Sequence, residues 1–338
     1  MGRYIIRRLL WMIPVILGVL LIVFALSAIA PGDPVDSIVG YDAPEEVREA
    51  KRQELGLNDP FILRYGRYVI GVFTKGDFGT SYTTKQPVLG EILSRFPNTL
   101  KLTFFAVLVA LIIGIPLGVI AAVKQYSAID NATMVFALFG VSVPQFWFAL
   151  MMMYIFSIKL NWLPPITANS GAAGWVLPVA MIGIANVGMI ARTTRSSMLE
   201  VIRQDYIRTA RAKGQKEGKV IFKHALRNSL IPVVATLGNT LASSLGGSVV
   251  AESIFAVNGV GLYMLNSIDN RNWPSVAGGL LFLAIVFSFV MLFIDILYTV
   301  IDPRLKDEFN AKNKMAANKR AAKKKAREAA RSAKAQEV

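Results

Sequence analysis

The chain alternates between long apolar runs and polar stretches, and the apolar runs are long enough to cross a bilayer. A helix needs about 20 apolar residues to span a hydrocarbon core of roughly 30 Å. Six segments reach this length: 9–30, 100–123, 132–157, 176–195, 230–251 and 275–300. The pattern therefore predicts an all-α polytopic membrane protein with six transmembrane helices. Pro116 and Pro144 lie inside the second and third segments, where a missing amide donor permits a kink.

Polar stretches divide the rest of the chain. Residues 31–99 predict a small extracytoplasmic domain, with a helical piece at Pro44–Leu55 and a strand-like, turn-rich piece at Val69–Thr84. Residues 1–30 form the N-terminus and first span, 100–306 a five-helix core with a loop at 196–229, and 307–338 a basic tail rich in Ala and Lys.

The first apolar run resembles a signal peptide, because Arg3, Arg7 and Arg8 precede it and the small residues Ala28 and Ala30 end it. The run is long for a signal peptide, however, and Pro31 directly after it hinders cleavage. We therefore expect a retained first span.

The distribution of charge predicts the orientation. The N-terminus carries three basic residues, segment 192–227 ten basic against three acidic, and the segment from 302 onward twelve against five. Segments 31–101 and 252–274 each have one more acidic than basic residue. By the positive-inside rule both termini are cytoplasmic.

The amino-acid composition excludes several classes of functional site. The chain is 54% hydrophobic and 17% charged, with no cysteine and one histidine, His224. A disulfide framework, a thiolate nucleophile and a cysteine zinc site are excluded, and we expect no metal site. The nearest string to a phosphate-binding loop, residues 214–220, has the wrong spacing and lacks the hydroxyl residue. We expect a protein that is not an enzyme.

The stretch after the fourth span is the most informative. Apolar positions at Ile202, Tyr206, Val220 and Leu226 sit among basic residues, and Gly214 interrupts the pattern as a helix C-cap does. This predicts two short helices joined at a glycine. The pair suits a groove on a partner protein or the surface of anionic lipid, and the charge pattern favours neither.

The run from Asp205 to Pro232 resembles the coupling loop of permease subunits in binding-protein-dependent ABC importers, in the dipeptide, oligopeptide and nickel family. Gly214, Ala210 and Leu226 match the general motif, and the departures, such as Arg208 and His224, match the peptide and nickel version. Residues 30–34, 76–79 and 302–304 also resemble this family.

The resemblance implies a type I importer permease in a prokaryotic cell membrane, one half of a pathway for di- or oligopeptides. The implied partners are a second homologous permease, two ATPase subunits that bind ATP and Mg, an extracytoplasmic binding protein, the peptide substrate and membrane lipid, with no nucleic acid. No cofactor is expected on this chain. The residues expected to couple it to the ATPase are Thr209, Ala210, Arg211, Ala212, Lys213, Gly214, Glu217 and Leu226.

Small and polar residues mark candidate walls of the pathway. The fifth span carries Asn239, Thr240, Ser243, Ser244 and Ser248, and the fourth carries Asn186. Polar residues in bilayer helices face partners or cavities; tight helix packing is the competing interpretation. Glu252 and Asp295 lie near the ends of the fifth and sixth spans, and Asp295 is expected to pair with a basic residue such as Arg192 or Arg195.

The tail suggests one alternative of another class. A membrane insertase or assembly scaffold could recruit ribosomes through residues 311–338. A role at the lipid surface fits better, because clustered cations gain roughly 1 kcal/mol each near an anionic leaflet and no aromatic residue stands among them to stack on bases.

Overall fold

The computed structural model describes residues 2–30, 32–40 and 42–301. The predictions for the basic tail and for the motif at 302–304 lie outside these residues. The chain divides into a unit of residues 1–292 and a second of residues 293–338. All contacts described below lie in the first unit.

The described residues form helices joined by short loops, with a single isolated bridge between Thr80 and Pro87. The helices are α1 (Gly2–Ile29), α2 (Asp36–Val39), α3 (Glu45–Glu54), α4 (Phe61–Lys75), α5 (Val88–Val123), α6 (Ala128–Ser142), α7 (Gln145–Met152), α8 (Val176–Ile202), α9 (Asp205–Ala212), α10 (Glu217–Lys219), α11 (Leu226–Ile254), α12 (Val260–Asp269) and α13 (Trp273–Ile301). Two π-helical segments follow α7 and α10, at Met153–Lys159 and Val220–Ala225, and a 3₁₀ turn at Ala173–Trp175 precedes α8. The predicted all-α fold is confirmed.

Five helices are long and apolar enough to cross a membrane, and the number is six if the bent pair α6 and α7 counts as one span. The third predicted span is not straight, because its two halves differ in direction by 106°. The break lies at Val143 and Pro144, where extended backbone precedes the proline. Pro116, in contrast, lies within the uninterrupted helix α5.

Helices α5 and α8 form the centre of the molecule and approach closely through glycines. A methyl group on Gly118 would lie 2.5 Å from the Ala191 carbonyl, and one on Gly114 would lie 2.9 Å from the Ile190 side chain. Such contacts leave no room for any other residue. The small residues of the second span therefore serve packing within the chain.

The strand-like interpretation of Val69–Thr84 is wrong. Residues up to Lys75 belong to α4, because Tyr65, Tyr68 and Val72 recur at helical spacing and pack together against α1 and α5. The β-preferring residues of this stretch thus follow the helical period. The helix predicted at Pro44–Leu55 is present as α3.

Candidate functional site

The loop between α8 and α11 begins with α9 and turns at Gly214. Gly214 has φ +71, a conformation that favours glycine. Its amide donates to the Arg211 carbonyl at 2.9 Å, and the amide of Gln215 donates to the Ala210 carbonyl at 3.4 Å. This arrangement is the Schellman motif that ends many helices. The glycine is needed for its backbone, since no other atom lies within 4 Å of where its Cβ would stand.

The second half of the loop differs from the prediction. In place of a short separate helix, α10 continues through the π-helical segment directly into α11. A single apolar helix therefore extends from Glu217 to Ile254. Gly218 keeps an ordinary φ and does not interrupt this helix, and Pro232 is accommodated inside α11.

Polar side chains join the two halves of the loop across Gly214. The Arg211 guanidinium donates to both carboxylate oxygens of Glu217, at 3.1 and 2.6 Å. The hydrogen bond to Glu217 raises the pKa of Arg211 above its usual value. His224 and Gln215 share a hydrogen bond of 2.8 Å. Arg211 and Glu217, two residues expected to meet an ATPase, thus bind each other.

The underside of the loop is buried. Ile207 and Ala210 pack with residues of the segment after α10 and of the ends of α5 and α8: Val119, Ala122, Met198, Val220, Ile221 and Ala225. Leu226 is partly buried against the same cluster. Ala210 and Leu226, both predicted to belong to the coupling loop, therefore pack on the membrane helices and do not lie on its exposed face.

The outer face of the loop is exposed. It carries Thr209, Arg211, Ala212, Lys213, Gly214 and Glu217. Phe222, which belongs with Val220 and Leu226 to the apolar positions of the loop, is also 66% exposed. The apolar pattern of the sequence does not distinguish Phe222 from Val220, which is buried. The face thus combines cations with one exposed ring.

The six candidate pathway residues divide between two faces. Thr240, Ser244 and Ser248 are buried, and Asn186 donates to the Ser244 hydroxyl at 3.0 Å. Asn186 and Ser244 thus join α8 to α11, and Thr240 and Ser248 are buried on the same side of α11 as Ser244. Asn239 and Ser243 are exposed on the other side of α11, together with Ala235 and Gly246. Only this second face is open to a pathway or a partner subunit.

Glu252, near the C-terminal end of α11, is fully buried, and both of its carboxylate oxygens accept hydrogen bonds. One carboxylate oxygen accepts from the Thr99 hydroxyl at 2.8 Å, and the other accepts from the Leu262 amide at 2.9 Å. The Thr99 hydroxyl in turn accepts from the Val260 amide at 2.9 Å. The carboxylate therefore caps the N-terminus of α12 and ties it to α5 and α11. We call this cluster the outer junction.

A second polar cluster lies beside the outer junction. The Tyr263 hydroxyl is 2.8 Å from a Glu91 carboxylate oxygen and 2.7 Å from the Ser275 hydroxyl, and burial raises the pKa of Tyr263 to about 12. Asn272 donates to the hydroxyls of Ser81 and Thr83. These contacts join the loop before α5 to the segment between α12 and α13.

A buried ion pair joins α6 to α8. Arg195 on α8 donates to both carboxylate oxygens of Asp130, whose side chain is only 2% exposed. Arg195, named from the sequence as a partner for Asp295, thus binds Asp130. No local sequence pattern predicts this pair, since the two residues are 65 positions apart.

Comparison with known proteins defines the family. Residues 114–307 match the binding-protein-dependent transport system inner membrane component, and residues 1–103 match the N-terminal part of such membrane components. The chain is 40% identical to the dipeptide transport system permease protein DppB of Alkalihalophilus pseudofirmus, over 90% of this chain and all of that protein. It is also 40% identical to the glutathione transport system permease protein GsiC of Salmonella paratyphi A, over 90% of this chain and 99% of that one.

A solved structure shares the fold. The inward-facing MetNI methionine ABC transporter aligns with a TM-score of 0.53 and 20% identity, over 64% of this chain and 98% of that one. Family membership leaves the alternative of a membrane insertase without support. The family comprises membrane permeases, distinct from the ATPase, that work with ATPase and binding-protein subunits in the inner membrane. The chain belongs to the binding-protein-dependent transport system inner membrane components and is a permease subunit of an ABC importer.

Proposed function

We propose that the exposed face of the loop between α8 and α11 docks on a cytoplasmic ATPase and carries its movement to the membrane helices. The observation that carries this proposal is the combination of an exposed, basic outer face with an underside packed on the ends of α5 and α8. A force on the outer face reaches Ile207 and Ala210 and, through them, Met198 of α8 and Val119 of α5. Thr209, Ala212 and Lys213 are the contact residues, and Gly214 sets the turn.

In this arrangement the partner ATPases hold ATP and Mg, and this chain contributes no catalytic group. The complete importer contains two ATPase subunits, this permease, a second homologous permease and an extracytoplasmic binding protein. The charge distribution supports cytoplasmic N- and C-termini, since segment 192–227 carries ten basic against three acidic residues. The loop then faces the ATP-containing side of the membrane.

The cargo is a short peptide, and the exposed face of α11 lines its route. Dipeptide and glutathione permeases are the named relatives, and both names describe peptides. Asn239 and Ser243 are exposed on a helix long enough to span the bilayer. Exposure of Asn to hydrocarbon is costly, so this face meets either the route or the second permease.

Isolation of the assembly tests the proposal first. The tagged chain is recovered from gently solubilised membranes, and mass spectrometry identifies the proteins that accompany it. Stoichiometric ATPase subunits and a second permease are the expected result. Recovery of ribosomal proteins in their place contradicts it.

Crosslinking then tests the docking face. The chain has no cysteine, so Lys213→Cys introduces the only thiol. With a bifunctional reagent it should crosslink to an ATPase subunit, whereas Asn270→Cys, exposed after α12, is the matched control and should not. Equal crosslinking from both positions excludes the proposed face.

A further inference from the structure

Helix α4 has an apolar face that no part of the described chain covers. Its exposed apolar residues are Ile62, Leu63, Ile70 and Phe73, with exposures between 49% and 70%. At 3.6 residues per turn these four positions fall within about 100° of arc. The opposite side of the helix carries Arg64 and Lys75, and Arg67 lies at the edge of the apolar stripe. This division is that of a helix lying in a membrane interface.

Contacts with α1 place α4 beside the part of α1 that crosses the hydrocarbon core of the bilayer. The Tyr65 hydroxyl donates to the Leu17 carbonyl at 3.0 Å. Leu17 lies twelve residues before Ile29, the last residue of α1, a distance of about 18 Å along the helix axis. The Phe24 ring lies 5.8 Å from the Tyr65 ring and 5.3 Å from the Tyr68 ring. Helix α4 therefore lies beside the apolar part of a membrane span.

A cleft of about 240 Å³ opens on the polar side of α4. Val23 and Phe24 of α1 and Ala277 of α13 line its apolar part, and Arg64, Arg67, Asp77 and Tyr82 line its polar part. Trp273, the first residue of α13, also lines the cleft. Tyr and Trp concentrate where hydrocarbon meets the headgroups, so the cleft lies at that level.

The cleft contains hydrogen-bond donors that the described chain leaves unused. Arg67 is bound to Asp59 at 2.7 Å, and the Tyr68 hydroxyl donates to the Phe78 carbonyl at 3.2 Å. Arg64 is only partly exposed, yet its side chain makes no hydrogen bond or ion pair with any described residue. The Arg64 guanidinium is therefore free to donate to an anion that enters the cleft.

We propose that this cleft binds the phosphate of a phospholipid from the leaflet at the Ile29 end of α1. Arg64 and the Tyr82 hydroxyl donate to the phosphate oxygens, the acyl chains pass over Val23 and Phe24, and the apolar stripe of α4 lies in the surrounding hydrocarbon. Guanidinium groups bind phosphate through charge-assisted hydrogen bonds. The apolar lining and the stripe select a lipid rather than free phosphate.

Labelling in membranes tests the position of α4. Ile70→Cys lies on the stripe, and Lys75→Cys lies at an exposed position on the opposite side of the helix; in this cysteine-free chain each is the only thiol. A membrane-impermeant maleimide should label Lys75→Cys and spare Ile70→Cys. A fluorophore at Ile70→Cys should be quenched by phospholipids with brominated acyl chains. Equal labelling overturns the proposal, and so does protection without quenching, which indicates that a protein subunit covers the stripe.

Mass measurement of the intact assembled transporter tests the cleft. We expect a bound phospholipid on the original assembly, its loss in Arg64→Gln, and its retention in Lys75→Gln, which removes a charge from the same helix outside the cleft. Retention in Arg64→Gln, or equal loss in both variants, overturns the proposal. Displacement of the lipid by inorganic phosphate assigns the site to free phosphate and overturns the lipid assignment.

Discussion

The outer junction and the loop between α8 and α11 are stabilised in opposite ways. At the outer junction a fully buried carboxylate, Glu252, binds Thr99, 153 positions away in the sequence. In the loop Arg211 and Glu217 are six positions apart, with side chains 39% and 56% exposed. The buried Glu252–Thr99 contact joins two helices that are distant in the sequence. The exposed Arg211–Glu217 pair closes a local turn.

This difference predicts how strongly each region depends on its polar contacts. A buried polar group that loses its partner costs far more free energy than an exposed ion pair contributes. The outer junction therefore resists separation of α5, α11 and α12. The loop keeps its shape through the packing of Ile207 and Ala210 on the helix ends beneath it.

The largest expected effect is at the outer junction. Glu252→Ala removes the acceptor of the Leu262 amide and the Thr99 hydroxyl, and each buried donor left unpaired costs about 1–3 kcal/mol. Thermal unfolding of the purified assembly should show a large loss of stability. The exposed neighbour Ser253→Ala is the control, and equal stability of the two variants contradicts the role of the junction.

The Asp130–Arg195 pair sharpens the comparison, since it is buried and lies away from the outer junction. Asp130→Asn leaves Arg195 without its charged partner. Loss of one member of a buried pair costs roughly 3 kcal/mol, and less here because Arg195 is 21% exposed. A double-mutant cycle with Arg195→Gln should show coupling between the two positions. If the losses of stability from the two single variants simply add in the double variant, this coupling is falsified.

The turn at Gly214 is expected to affect function more than stability. A β-branched residue at φ +71 is strained by about 1–2 kcal/mol, so Gly214→Val should displace α9 from its place beside α10. The assembled transporter should still hydrolyse ATP but import less peptide per ATP. Gly218→Ala, at a position with open space and an ordinary φ, is the control. Unchanged coupling in Gly214→Val excludes a role for the turn.

The exposed ion pair of the loop should contribute little. Glu217→Gln is expected to lower stability by less than about 1 kcal/mol, because solvent screens exposed pairs. The exchange Arg211→Glu with Glu217→Arg should restore whatever is lost. Thermal unfolding at low and high salt measures the effect, and a loss as large as that of Glu252→Ala would remove the contrast between the two regions.

The smallest expected effect is a change of local stability with pH at Asp33, which precedes α3. Burial of Asp33 opposes its ionisation, but the Val35 amide and Arg52 lower its pKa below the usual value. The contribution of Asp33 is therefore present above about pH 4, near the unfolded value, and is lost as the pH falls through the lowered pKa. Hydrogen exchange in α3 should increase over that range, and Asp33→Asn should abolish the change.

Hydropathy alone predicted the membrane helices, because each span must satisfy its own backbone in lipid and so carries its signal locally. The turn at Gly214 was also predictable, because a glycine that ends a helix is itself a local signal. Local patterns failed where two interpretations compete over a short segment. The stretch from Val69 to Lys75 has strand-forming residues, and its contacts with α1 decide for a helix.

The partners of buried polar residues could not be predicted. Thr99 and Glu252, or Asp130 and Arg195, meet only because the helices that carry them pack together. The same limit affected the pathway residues. Ser244 and Ser243 are adjacent and alike in the sequence, yet the first is buried against Asn186 and the second is exposed.

The uninterrupted helix from Glu217 to Ile254 joins the two compared regions physically. Glu217 and Glu252 stand near its two ends, about 52 Å apart at 1.5 Å per residue. For a rod of this length, a tilt of about 5° about its Glu252 end displaces the end beside Gly214 by about 5 Å. A small rotation at one end of this helix and a large displacement at its other end are then the same motion.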